Sequence, residues 1–274
     1  VLLSAGLVEK KGKGRSVVYL SKNKNTFLFH FDSDSYFKLS QDQREIKKQF
    51  NWEVFDYPRD FFTASELKRL DAANKRYQNK RAKMDVASLR KEFERLTIEL
   101  SWKSSRLEGN TYSLFETETL IKDSREAAGH TKDEAIMILN HKRALDYILE
   151  SKEQFKTLKS TQVRAVHSLL VKDLDIPDDF RSILVRITGT NYQPLDNKFQ
   201  IEDAVKKIVE VVNDEENPAV KALLSVALIS YTQPFVDGNK GTSRLIANAV
   251  LLANDWCPMS LRSMDETAYK KAVL

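Results

Sequence analysis

At 274 residues, 42% apolar and 30% charged, the chain has the makeup of a soluble globular protein, one large domain or one domain with a small appendage. Its 44 basic and 39 acidic side chains leave a formal charge of +5, too small an excess to argue for nucleic acid unless it is clustered. The single cysteine, Cys257, excludes an intramolecular disulfide framework and fits a reducing compartment.

The chain begins at Val1 and stops inside a helical run over 265–274, so both ends read as trimmed; no signal peptide survives at this N-terminus, where trimming could have removed one. Leu2, Leu3 and Leu7 read as the end of a short helix closed by Gly6. Strands follow over 8–10 and 16–20, around the basic turn Lys11-Gly12-Lys13-Gly14-Arg15. This order resembles the last part of a winged-helix domain, whose wing touches DNA phosphates, and a plain solvated hairpin is the equal alternative. Residues 26–31 (TFLFHF) form an aromatic strand or docking segment. Residues 50–62 carry Trp52, Phe55, Tyr57, Phe61 and Phe62 around Pro58, a connector that docks the N-terminal piece onto the main body.

Scarce Pro and Gly (6 and 8) predict a mostly helical remainder. A strongly charged, solvated helix spans 65–81. The next spans 85–106, with Leu89, Phe93, Leu96 and Leu100 at helical spacing. Further helices fall at 113–121, 132–149, 160–170, 201–212, 218–232 and 241–254. Alternation at Ile183, Val185 and Ile187, then Gly189 and Pro194, predicts a short β-hairpin within 181–197. The most apolar stretch, 245–253, is broken by Asn248 and is far short of a bilayer span. No membrane association is expected, and the expected location is cytoplasmic. Cys257 follows that apolar run and is expected to be a buried, inert thiol.

The densest signal is the loop Gln233-Pro234-Phe235-Val236-Asp237-Gly238-Asn239-Lys240-Gly241-Thr242-Ser243-Arg244, between two apolar helices. A short Gly-containing loop that opens a helix offers free N–H groups and a positive dipole end to an anion. Gly238 lets the chain turn tightly. Asn239 can donate from its amide, Asp237 is a hard oxygen ligand for Mg²⁺, and the fork of Arg244 can reach a phosphate or a carboxylate. Taken alone, this is an anion loop or simply a turn before a helix.

The loop is similar to the motif of the Fic (Fido) family, H-x-F-x-(D/E)-G-N-(G/K)-R-x-x-R. Phe235, Asp237, Gly238, Asn239, Lys240 and Arg244 match it. Gln233 stands at the catalytic histidine and Gly241 at the first arginine. A second segment, Ser104-Ser105-Arg106-Leu107-Glu108-Gly109-Asn110, looks like the family's inhibitory motif, (S/T)-x-x-x-E-(G/N). Residues 185–194 (VRITGTNYQP) resemble the hairpin flap that covers the nucleotide and aligns the target. The resemblance covers residue 85 to the end.

It implies a mostly α fold, a Fic helical bundle with a small β-hairpin flap over 113–274. Linker helices including the inhibitory helix would occupy 61–112, behind a small α/β segment over 1–60 that resembles a partial winged helix. Family members move the adenylyl group of adenosine triphosphate (ATP) to a hydroxyl of a target protein, with Mg²⁺. Carried over, Asp237 would hold the metal, and Phe235, Gly238, Asn239, Lys240 and Gly241 would line the nucleotide and phosphate site. Arg244 would meet the γ-phosphate and Glu108 would compete for it. Ser104, Gly109 and Asn110 complete the inhibitory motif, with Ser104 positioning Glu108 or the end of its helix. Thr190 and Tyr192 would face the nucleotide or target.

Gln233 cannot accept and release a proton near neutrality as an imidazole does. Gly241 lacks a cation where charge develops on the leaving diphosphate. Three readings stay open: a catalytically silent nucleotide binder, a slow or altered transferase, and an engineered variant. A non-enzymatic regulatory or DNA-associated module is the alternative function. His30, His130, His141 and His167 show no metal-ligand spacing, and His141 and His167 are expected to be structural.

Overall fold

The computed structural model describes residues 3, 8–21, 31–57 and 60–274. Among them lie an antiparallel hairpin, β1 (Val8–Lys11) and β2 (Val18–Ser21), and ten helices. The helices are α1 (Ser33–Lys38), α2 (Ala64–Arg81), α3 (Val86–Leu107), α4 (Leu114–Asp123) and α5 (Lys132–Glu150). They continue with α6 (Ser160–Leu170), α7 (Lys198–Asp214), α8 (Pro218–Thr232), α9 (Asn239–Ala253) and α10 (Glu266–Val273). The mostly helical class expected from sequence is the class observed.

Side chains that accept backbone N–H groups set most helix starts. Thr63, Asp85, Ser113 and Thr131 cap α2 to α5, and Asn197 and Asn217 cap α7 and α8. Glu66, Glu116 and Glu134 close capping boxes at the third helical position. At the centre, α8 packs along α9, and α3, α5, α6 and α7 surround the pair. From Gly241 to Ala253 every residue of α9 is buried, the polar Arg244 and Asn248 included. The expected aromatic connector docks: Phe55 is buried in the main core, with Phe50, Val54, Phe61 and Phe62 packed against it.

One local expectation holds with shifted strand bounds, and two change. The β1–β2 hairpin forms in register Val8↔Ser21, with residues 14–16 as a 3-10 turn. The second hairpin, at 185–194, does not pair with itself. Its backbone groups are bonded instead by residues 41–48: Arg44 donates to Gly189 O at 2.8 Å, and Gln193 N donates to Lys48 O at 2.6 Å. Cys257 is exposed, because the chain leaves α9 through Asp255 in a left-handed turn and seats Trp256, not the cysteine, against the cluster of Ala222, Ala247 and Leu251. The helix end read at Leu2 to Leu7 and most of 26–31, with His30, lie outside the described residues. Among the described residues no helix is long and apolar enough to cross a membrane.

Candidate functional site

The loop runs from the left-handed end of α8 to the start of α9. Gln233 caps α8 at φ 49°, and Gly238 precedes α9 at φ 73°. A side chain at Gly238 would also press on His167 and Val171, its Cβ lying 3.3 Å from His167 Cε1. No side chain caps α9, so its first turn keeps donors for an anion.

Asn239 organises the loop. Its Oδ1 accepts from Phe235 N at 2.8 Å, and its Nδ2 donates to Phe235 O at 2.9 Å and to Gln233 Oε1 at 3.1 Å. Gln233 Nε2 donates to Ser230 O at 2.5 Å, so both ends of its amide are engaged inside the loop. Phe235 is fully buried, stacked on His167 at 3.5 Å and against Phe180 at 5.3 Å. It anchors the loop rather than facing a ligand, a correction to its expected place at the nucleotide.

Arg244 is 1% exposed and donates four hydrogen bonds. Nε donates to Ser104 Oγ at 2.9 Å, Nη1 to Tyr269 Oη at 3.1 Å, and Nη2 to Ser104 O at 3.2 Å and Glu108 Oε1 at 2.6 Å. Burial opposes its charge, but the Glu108 carboxylate and Tyr269 hold the guanidinium above its ordinary pKa. Glu108 ends α3 just before Gly109, which takes φ 102°. Ser104 therefore fixes Arg244, not Glu108. Asn110 belongs to the turn, donating to Glu134 O and accepting from Tyr112 N.

Behind this pair, His141 meets Ser104 Oγ at 2.9 Å and Ser105 Oγ at 3.2 Å. Burial, with the nearby Arg244 charge, lowers its pKa to about 4. Burial likewise lowers His167 to about 4. Both imidazoles are neutral and packed.

A cleft of about 190 Å³ opens over the loop, lined by Gln233, Val236, Asp237, Asn239, Lys240 and Glu108, and from above by Val185, Arg186, Ile187 and Thr188. That is below the roughly 300–1,000 Å³ of ordinary ligand sites, and Glu108 forms part of its wall. Larger hollows, of about 690 and 490 Å³, lie by α1 and α10 and by Tyr231, away from the loop's donors. Thr190 and Tyr192 do not line the loop cleft. Tyr192 buries its ring on Tyr231 at 4.7 Å and donates to Tyr231 O at 3.0 Å.

Sequence reading missed three residues. Arg186 is an exposed cation on the cleft wall. Arg181 is buried and donates to Gln233 O at 2.7 Å and Ile183 O at 2.6 Å, tying the flap root to the loop. Tyr269 reaches Arg244 from α10. Arg186 stood inside a segment already singled out, whereas Arg181 and Tyr269 carry no local pattern.

Residues 157–251 match the model of the Fic/DOC family. The chain is 26% identical over 224 residues to the protein adenylyltransferase Fic of Culex quinquefasciatus, covering 76% of this chain and 43% of that protein. It is 24% identical over 162 residues to the protein adenylyltransferase fic-1 of Caenorhabditis elegans, covering 57% of this chain and 32% of that one. The chain thus spans less than half the length of these relatives. Among solved structures, a Fic domain containing signaling protein from Bacteroides thetaiotaomicron superposes with TM-score 0.64 at 21% identity, covering 76% of this chain and 80% of that one. Fic-1 from C. elegans gives TM-score 0.63 at 19% identity, covering 76% and 64%. At such identities the superpositions establish the fold.

Proposed function

We propose that this chain, whose residues 157–251 match the Fic/DOC family and which is related to protein adenylyltransferases, binds ATP or a related nucleotide on the loop, is autoinhibited by Glu108, and transfers adenylyl groups weakly or not at all. The observation that carries the reading is the 2.6 Å ion pair joining Glu108 to Arg244 across the cleft wall.

The uncapped first turn of α9 and Lys240 receive phosphates, and Arg186 adds a cation from above. Arg244 would meet the terminal phosphate, but Glu108 already occupies its Nη2. A nucleotide must displace that carboxylate or bind with its phosphates elsewhere. Asp237 offers one exposed carboxylate at the cleft, and among the described residues no group of three or more His, Cys, Asp or Glu side chains gathers anywhere. A lone carboxylate suits Mg²⁺ that arrives on phosphates, not a metal caged by protein. Asp237 would hold it, and the ion would neutralise phosphate charge.

Gln233 sits where the family's proton acceptor stands, and its amide is spent on Asn239 and Ser230. A target hydroxyl in the cleft meets no base there, and loss of a general base costs about 10²–10⁴ in rate. With α-labelled ATP, Glu108→Gly should label no protein appreciably, whereas Glu108→Gly with Gln233→His should. Equal labelling by both would show that Gln233 is no obstacle.

The exposed cations Lys10, Lys11, Lys13 and Arg15 at the formed hairpin favour a second reading, contact with a DNA backbone. It requires duplex binding that weakens steeply with salt.

A further inference from the structure

The C-terminal helix α10 touches both halves of the Glu108–Arg244 contact. Glu266 Oε1 accepts from Lys103 Nζ at 2.8 Å and from Arg106 Nε at 2.9 Å, both on the final stretch of α3 that leads into Glu108. Three residues on, and so on the same helix face, Tyr269 Oη accepts from Arg244 Nη1 at 3.1 Å. The Arg244 guanidinium carbon lies 5.6 Å from the Tyr269 ring. Lys103 is 8% and Glu266 31% exposed, so their pair is less screened than an open surface pair. Farther along, Lys271 pairs with Asp34 of α1 at 2.6 Å, and Leu274 packs beside Gly189 of the flap.

We propose that α10 is a second latch on the inhibited state, with Glu266 and Tyr269 as positioning residues that hold Glu108 and Arg244 in register. The proposal rests on the nucleotide reading above and adds its regulation. Glu108 is a helix-end residue followed by a left-handed glycine, where helices fray. Glu266 restrains that end by gripping two cations of α3. Tyr269 holds Nη1 while Ser104 holds Nε, and the guanidinium plane so fixed presents Nη2 to Glu108. The latch itself is weak. No residue of α10 is buried, so little packing holds it to the core. Its docking can therefore be lost without unfolding the core, as expected of a regulatory element.

A purely structural α10 would support the site equally with or without Glu108, and a double-mutant cycle separates the two roles. Calorimetry with ATP and Mg²⁺ on the intact chain should show Glu266→Gln and Tyr269→Phe each binding roughly fivefold tighter than wild type. In a Glu108→Gly background the same substitutions should change nothing measurable. No gain in the first background, or an equal change in both, overturns the latch. Failure of the nucleotide reading looks different: no variant binds, Glu108→Gly included. Amide hydrogen exchange then decides. The amides of Glu108, Gly109 and Asn110, bonded to Ser105 and Arg106 carbonyls, should exchange faster in Glu266→Gln while α8 and α9 keep their protection. Unchanged or uniformly faster exchange rejects the proposal.

Discussion

At position 241 a Cβ would lie 2.8 Å from Leu170 Cδ2, so the arginine of the family motif cannot enter without moving a buried leucine. Gly241 is thus more than a missing cation, since a side chain there requires the Leu170 end to shift. Gly241→Arg is expected to lower stability by roughly 1–3 kcal/mol, the usual cost of overpacking. Adding Leu170→Val should recover part of that loss, seen as favourable coupling in urea denaturation of the single and double variants. Additive losses would mean that Leu170 is not the obstacle. Gln233 is another matter. Its side chain is held by Ser230 O and Asn239, the two bonds a histidine placed there would have to replace. Glu108 and Arg244 were legible as a pair because each sits in its own contiguous motif. Tyr269 was not, because nothing in a sequence marks a tyrosine as the third partner of an arginine 25 residues away.

Among the elements, the helices could be read because caps and apolar spacing are local signals. Helix α6 (Ser160–Leu170) and helix α8 (Pro218–Thr232) begin and end where the pattern placed them. The flap could not be read in the same way. Its alternation implied a self-paired hairpin, but the partners of its backbone come from residues 41–48, some 145 positions earlier. Arg181 holds the root of this element. Its guanidinium is buried and makes no ion pair among the described residues, and burial lowers its pKa to about 10. Arg181→Ala leaves the buried carbonyl of Gln233 without its donor, at roughly 1–3 kcal/mol. A matching drop in the urea midpoint is expected, and an unchanged midpoint would deny Arg181 that role.

For the whole molecule, the aromatic connector was foreseen and the buried core explains it, whereas the exposure of Cys257 depended on a turn after α9 that composition does not encode. The two buried histidines link the fold to pH. In the folded chain both titrate near 4, held neutral first by burial, and in the unfolded chain near the ordinary imidazole value of 6.5. Their stabilisation is complete above about pH 6.5 and is lost as pH falls toward 4, where only the unfolded chain has taken up the protons; each shift is worth on the order of 3 kcal/mol. Thermal midpoints should fall across that window, and NMR should show neither imidazole titrating above about pH 5. In the proposed function, Glu108 shuts a nucleotide site that the chain still possesses. Calorimetry of the intact chain and of Glu108→Gly with ATP and Mg²⁺ tests it most directly. Binding at least roughly tenfold tighter in Glu108→Gly, the effect of freeing one charged contact to phosphate, is the predicted result, and equal affinity in both, or none in either, would contradict it.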